Sequence, residues 1–222
     1  MSRANSRYHA VVFDMDGVLV DTEPAFYDAA NIILQEEGRY IEWERYKPLL
    51  GTSVEETWRE IISMLNMRGD LYDYMRRYSD VLPDCLAQER DPLPGTEQLL
   101  DTLEGRSVPC GLATSSWGRW KDIVLSSAGL QERFRVVVTG DTVKHEKPAP
   151  DIYLRAAKLL GVAPERCVAV EDTPPGIAAA KAAGMFAVQV RASSTAFPPI
   201  EQADLVIDSL EYFPVAMIDA AG

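Results

Sequence analysis

No apolar run in this chain has the length of a transmembrane helix, so a helical membrane protein is not expected. The polar leader from Ser2 to Arg7 gives way to only a brief apolar run, which is not the pattern of a signal peptide. Cysteine is scarce: Cys85, Cys110 and Cys167 are odd in number, widely separated and mostly in apolar surroundings. They read as buried thiols in a reducing compartment, not as a disulfide frame or a zinc site. Histidine is limited to His9 and His145, and neither has a metal-ligand partner at suitable spacing, so both read as structural or surface residues. Positive charge is also short, with 22 basic against 34 acidic residues and a net charge of −12. That balance argues against nucleic-acid and anionic-membrane partners. An anionic substrate would need a local positive site to overcome the field. Internal repeats and low-complexity tracts are absent, and a cytoplasmic location is the expectation.

What is present is an ordinary apolar content, 47% over 222 residues, enough for one sizeable domain or a domain with a smaller insertion. The chain is organised around Val11-Val12-Phe13-Asp14-Met15-Asp16-Gly17. The run from Tyr8 to Phe13 is rich in β-branched and aromatic residues and reads as a buried strand. Alternation along a strand points Asp14 and Asp16 to the same side, and Gly17 permits a sharp turn or close approach to a ligand. Two crowded acids at the end of an apolar strand repel one another and are costly to desolvate without a positive partner. A divalent cation with oxygen ligands, Mg²⁺ above all, answers that need. A strand running out into a solvated acidic turn is the plainer reading of the same residues.

Downstream, Phe26, Ala29, Ala30, Ile33 and Leu34 recur at helical spacing, with Gly38 as a stop. Ser53 and Glu56 have the spacing of a capping box. Val54, Trp58, Ile61, Ile62 and Leu65 form one apolar stripe, and Leu71, Tyr74, Met75, Tyr78 and Leu82 another. Such stripes serve helix–helix packing, so the segment reads as all-helical. Asp91-Pro92-Leu93-Pro94-Gly95 closes it with dense turn chemistry. Helices then alternate with short apolar strands (108–113, 135–139, 167–170, 186–190 and 204–207). The intervening helices span 117–127, 151–160 and 173–183. That order predicts a parallel sheet covered on both faces, with ligands at the carboxyl ends of its strands.

Three further stretches fall at such ends. Thr114-Ser115-Ser116 offers hydroxyls and backbone amides to an anion, while Ser116 alone can be read as the cap of the next helix. Trp117 reads as a packed tryptophan, with lining the site entrance as its alternative. Lys147, between Glu146 and Pro148, is a compact positive charge in a loop stiffened by Pro148 and Pro150; Lys144 is its solvent-facing rival. Glu171-Asp172 repeats the acidic pair after an apolar run, and Thr173-Pro174 makes a good N-cap and first helical position.

Asp14-Met15-Asp16-Gly17-Val18-Leu19-Val20-Asp21, Thr114, Lys147-Pro148 and Glu171-Asp172 together resemble, in order, the four motifs of the haloacid-dehalogenase-like hydrolases. The resemblance implies an α/β fold: a Rossmann-like parallel core of residues 1–22 and 92–222, with an inserted all-helical cap domain of residues 23–91. It implies Asp14 as nucleophile forming an aspartyl-phosphate, and Asp16 as general acid and base. Thr114, Ser115 and Lys147 would bind phosphate. Mg²⁺ would be held by Asp14, Asp16 through its backbone carbonyl, and Asp172, with Glu171 ligating directly or through water. The family's true dehalogenases lack the second aspartate, so Asp16 favours phosphoryl transfer. The β-phosphoglucomutases of the family carry His where Phe26 stands and Arg near Val54, and neither is present here. A cap lysine of the phosphonoacetaldehyde-hydrolase kind is missing too. A monomeric phosphatase acting on a small phosphorylated metabolite is the reading; a sugar phosphomutase and a catalytically idle binding module are the alternatives. Gly51, Thr52 and Ser53 stand where cap residues touching substrate are sought, or form a simple helix-start turn.

Overall fold

The computed structural model describes residues 7–50, 52–193 and 197–220. The leader residues 2–6 and Gly51 therefore lie outside the described residues. In chain order the elements are β1 (Ala10–Phe13), α1 (Glu23–Gln35), α2 (Trp43–Tyr46), α3 (Val54–Met64), α4 (Leu71–Leu86) and α5 (Thr96–Gly105). Next come β2 (Cys110–Thr114), α6 (Gly118–Ser127), β3 (Val136–Thr139), α7 (Asp151–Leu160), β4 (Cys167–Glu171), α8 (Pro174–Ala182), β5 (Phe186–Val190) and β6 (Leu205–Ile207). The chain divides into two compact units, one of Met1–Asp21 with Arg90–Gly222 and one of Thr22–Glu89.

The first unit holds a six-stranded sheet in the order β3-β2-β1-β4-β5-β6, and every neighbouring pair is parallel. β1 sits inside it, and all four of its residues are buried. Burial on both faces is why Ala-Val-Val-Phe reads as a continuous apolar run without alternation. Each such valine or phenylalanine contributes roughly 1.5–3 kcal/mol, and Phe13→Ala would cost about 3–5 kcal/mol. Register sets the positions of the acids, because Phe13 pairs with Leu112 of β2 and Val170 of β4. The next amide, Asp14 N–H, still donates to the Val170 carbonyl at 2.9 Å, so Asp14 emerges beside Glu171 at the strand ends.

The second unit is helical. α4 packs against both α1 and α3. Trp58 stacks on Tyr74 with centroids 5.4 Å apart and planes 5° apart, so the two predicted stripes meet as a core. The capping box forms as the spacing demands: Ser53 Oγ accepts from Glu56 N–H, and the Ser53 amide donates to the Glu56 carboxylate at 3.1 Å. The short helix α2 carries no run long enough to register as a period. Among the described residues, no helix is long and apolar enough to cross a membrane. Cys85, Cys110 and Cys167 are buried, and none of the three is in a disulfide.

Candidate active site

β1 ends by delivering Asp14, and the chain then reverses in a tight turn in which Gly17 N–H donates to the Val20 carbonyl at 2.9 Å. Gly17 adopts φ +74°, a conformation that disfavours any Cβ. A Cβ there would also lie 2.1 Å from Asp172 Oδ2, so glycine is what lets the turn lie against that carboxylate. β4 delivers Glu171 and Asp172 at the adjacent strand end. Asp14, Glu171 and Asp172 are all buried, and each brings one carboxylate oxygen within 4.8 Å of the others. Three hard oxygen donors so close together fit a small divalent cation. Without a counter-charge they could not remain ionised there together.

One counter-charge is built in. Lys147 extends its ammonium to Asp14 Oδ1 at 2.8 Å, to Glu171 Oε1 at 2.6 Å and to the Ala113 carbonyl at 3.0 Å. Its side chain is 6% exposed, while Lys144 is exposed, so the loop has one lysine in the site and its rival in solvent. Burial works against the Lys147 ammonium, but the charges of Asp14 and Glu171 outweigh it and hold its pKa above the ordinary value. Burial pushes the Asp14 carboxyl up to about 8; Lys147 opposes the rise, while Glu171 and Asp16 add to it. A cation accepted by Asp14 would displace the proton that burial favours.

Glu171 is held on both oxygens. Oε1 accepts from Lys147 and from the Tyr153 hydroxyl at 2.6 Å. Oε2 accepts from Asp172 N–H at 3.2 Å and from the Thr173 hydroxyl at 3.3 Å. Gly176, in the first turn of α8, makes room for it, since a Cβ there would stand 2.0 Å from the Glu171 carboxyl carbon. Thr173 caps α8 as predicted, accepting from Gly176 N–H at 3.2 Å, with Pro174 in the first turn.

Asp16 faces elsewhere. Its Oδ2 accepts from Ser116 Oγ at 2.8 Å and from Thr114 Oγ1 at 3.2 Å. Its side chain is not in the three-carboxylate group. Ser116 corrects the reading from sequence. The residue flanking α6 is Trp117, which makes no side-chain cap, and Ser116 spends its hydroxyl on Asp16. A β-strand end and a helix start lie so close here that a capping hydroxyl and a site hydroxyl look alike in sequence. Ser115 is exposed, with its carbonyl against Gly140. Trp117 is 49% exposed and stacked on Trp120 at 5.7 Å, not packed in the core as expected. Thr52 and Ser53 use their hydroxyls in the turn before α3, Thr52 on the Leu49 carbonyl at 2.7 Å. His145 contacts Asp151 at the surface, and His9 the Asp219 carbonyl.

Tyr153, Ser116 and Gly176 are the site residues that sequence reasoning missed. Tyr153 lies 18 residues from the carboxylate it holds, and nothing nearby separates it from a core tyrosine.

Fructose-1-phosphate phosphatase YqaB of Escherichia coli (strain K12) is 35% identical over 185 residues, covering 83% of this chain and 97% of that protein. Beta-phosphoglucomutase of Bacillus subtilis (strain 168) is 34% identical over 206 residues, covering 89% and 88%. The crystal structure of CbbY from Rhodobacter sphaeroides in complex with xylulose-1,5-bisphosphate superposes with a TM-score of 0.82 at 27% identity, covering 96% of this chain and 99% of that one. The family model for haloacid dehalogenase-like hydrolases matches residues 11–190, from the second residue of β1 to the last of β5, and the chain belongs to that family.

Proposed function

We propose that this protein is a Mg²⁺-dependent phosphatase that hydrolyses a small phosphorylated metabolite, a sugar phosphate or organic-acid phosphate, through an aspartyl-phosphate on Asp14. The observation that carries the reading is the convergence of the Asp14, Glu171 and Asp172 carboxylates with the Lys147 ammonium. Phosphatases among the relatives support it, among them the fructose-1-phosphate phosphatase above. The helical unit of residues 22–89 is assigned as the family's cap, where substrate choice resides.

Asp14 attacks phosphorus in line as the bond to the leaving oxygen breaks. Lys147 meets the negative oxygens of the transferring group, and the Thr114 hydroxyl and the amides after β2 share that charge. Asp16 gives its proton to the departing oxygen, which keeps the bonding electron pair. It then takes a proton from the water that attacks the aspartyl-phosphate and releases inorganic phosphate. Asp14, Asp172 and the Asp16 main-chain carbonyl would hold Mg²⁺, whose contribution is to offset the repulsion between a carboxylate and an anionic phosphoryl group. Glu171, loaded with donors on both oxygens, anchors Lys147 and would add negative charge to the set that holds Mg²⁺.

The test is phosphate release from p-nitrophenyl phosphate and from a panel of sugar and organic-acid phosphates with Mg²⁺, beside Asp14→Asn. The reading requires loss of at least about 10³-fold in the variant, with the fold retained. Equal activity in both, or none across the panel, would support an idle module instead. The mutase relative favours one rival reading. That rival requires isomeric products from a hexose 1-phosphate with a bisphosphate primer, and little free phosphate.

A further inference from the structure

The geometry points to Ser116 as the residue that positions Asp16 for leaving-group protonation, a role that rests on the assignment of Asp16 as the acid. Its hydroxyl donates to Asp16 Oδ2 at 2.8 Å, the shorter of the two hydroxyl contacts to that oxygen. The other donor, Thr114, has one hydroxyl hydrogen and two claims on it. In the structure Thr114 gives that hydrogen to Asp16 at 3.2 Å, while its oxygen accepts from Ser116 N–H at 3.0 Å. A phosphoryl oxygen held by Thr114 must take the hydrogen away from Asp16. Ser116 then still donates to the carboxyl. It is placed for this by the loop after β2, where its amide is tied to Thr114 and its side chain makes no helix cap.

Ser116 therefore acts through Asp16, and its effect must scale with how much the leaving oxygen needs a proton. A residue that merely supports the fold, or that binds phosphate, affects all esters alike. The experiment uses 2,4-dinitrophenyl, p-nitrophenyl and phenyl phosphate, in rising order of leaving-group basicity, with kcat/KM measured for the wild type, Ser116→Ala, Ser116→Thr, Asp16→Asn and the Asp16→Asn/Ser116→Ala double variant. For the wild type the expected kcat/KM is nearly flat across the series. Ser116→Ala loses about tenfold on phenyl phosphate and less than about twofold on the dinitrophenyl ester, a part of the 10²–10⁴-fold that acid catalysis supplies. Ser116→Thr restores the flat profile because it returns the hydroxyl. In the Asp16→Asn background Ser116→Ala adds nothing further, since the two act as one unit.

A loss equal across the three esters, or a raised KM with unchanged kcat, overturns the proposal in favour of phosphate binding or simple packing. No loss on any ester overturns it as well. A steep profile in Asp16→Asn beside a flat one in Ser116→Ala rejects Ser116 alone. A flat profile in Asp16→Asn rejects Asp16 as the acid, and the role of Ser116 falls with it.

Discussion

The Tyr153 hydroxyl and the Lys147 ammonium meet the same oxygen, Oε1 of Glu171, each at 2.6 Å. Lys147 also lies 5.3 Å from the centre of the Tyr153 ring, so the phenol both shares its acceptor and flanks its charge. Burial, reinforced by the neighbouring carboxylates, holds the Tyr153 phenol well above its ordinary pKa, so it remains a donor. Tyr153→Phe keeps the ring and removes one donor from a buried carboxylate. The expected cost is about 1–3 kcal/mol in urea unfolding. A several-fold loss of kcat/KM on p-nitrophenyl phosphate is expected with it. An unchanged midpoint would show that the phenol does not hold Glu171.

Removing the ammonium itself is harsher. Lys147→Met leaves the carboxylates of Asp14 and Glu171 buried together without their shared counter-charge. A destabilisation of about 3–5 kcal/mol is expected from breaking a buried pair from one side. Activity should fall at least about a hundredfold, because the proposed mechanism sets the same group against the transferring phosphoryl oxygens. Denaturant titration and steady-state kinetics separate the two effects.

Cation binding should depend on pH with a definite sign. Burial, the first cause, raises the Asp14 carboxyl from 3.8 to about 8 in the cation-free fold, whereas a ligating carboxylate carries no proton. Mg²⁺ affinity is therefore expected to tighten by up to about tenfold per pH unit below that value and to level off above it. Titration calorimetry in two buffers of different ionisation enthalpy reads both the affinity and the proton released. The cation-free protein should lose stability across the same window, because the folded carboxyl keeps a proton the unfolded one has shed. Affinity independent of pH from 6 to 9 would contradict the shift.

Two glycines make a paired test. Gly176→Ala sets a Cβ 2.0 Å from the Glu171 carboxyl carbon, a group held by donors on both oxygens. A cost of about 1–3 kcal/mol is expected from such overpacking, together with lost activity. Gly105, at the end of α5, has open space around its Cβ position. Gly105→Ala should be neutral or stabilising by up to about 1 kcal/mol, because alanine is the better helix former. Thermal melts of both variants decide whether the crowding at Glu171 is real.

Two of the thiols should be inert. Burial pushes both Cys110 and Cys167 up to about 12, leaving almost no thiolate at neutral pH. In the native protein iodoacetamide should label them far more slowly than after unfolding in urea. The sign for stability is a loss as pH rises from about 9 towards 12, since the unfolded thiols ionise first. Fast native labelling at pH 8 would contradict their burial.

The strand ends were legible because three of the four motifs set a chemical group at the end of a short apolar run. Ala10–Phe13, Cys110–Thr114 and Cys167–Glu171 all obey that rule, and parallel register then brings Asp14 and Glu171 side by side. The Ser53–Glu56 box and the Thr173 cap were legible for a local reason, since each interaction spans three residues. The supporting partners were not. Ser116 and Asp16 are 100 residues apart in the chain, and Lys147 and Asp14 are 133 apart. For Lys147 a recognised motif filled that gap, whereas for Ser116 the local capping rule offered a sufficient and mistaken account. Trp117 was misread because an exposed indole contradicts its average burial; its stacking partner, Trp120, supplies the contact that the core would have.

That indole stack is also a built-in optical reporter. The chain has four tryptophans, and two of them, Trp117 and Trp120, sit face to face on the segment that begins one residue after Ser116. Emission from stacked rings is sensitive to their spacing and to the water around them. A ligand accepted beside them in the proposed site is therefore expected to change the emission of unlabelled protein, and with Trp43 and Trp58 replaced by phenylalanine the signal would come from this stack alone.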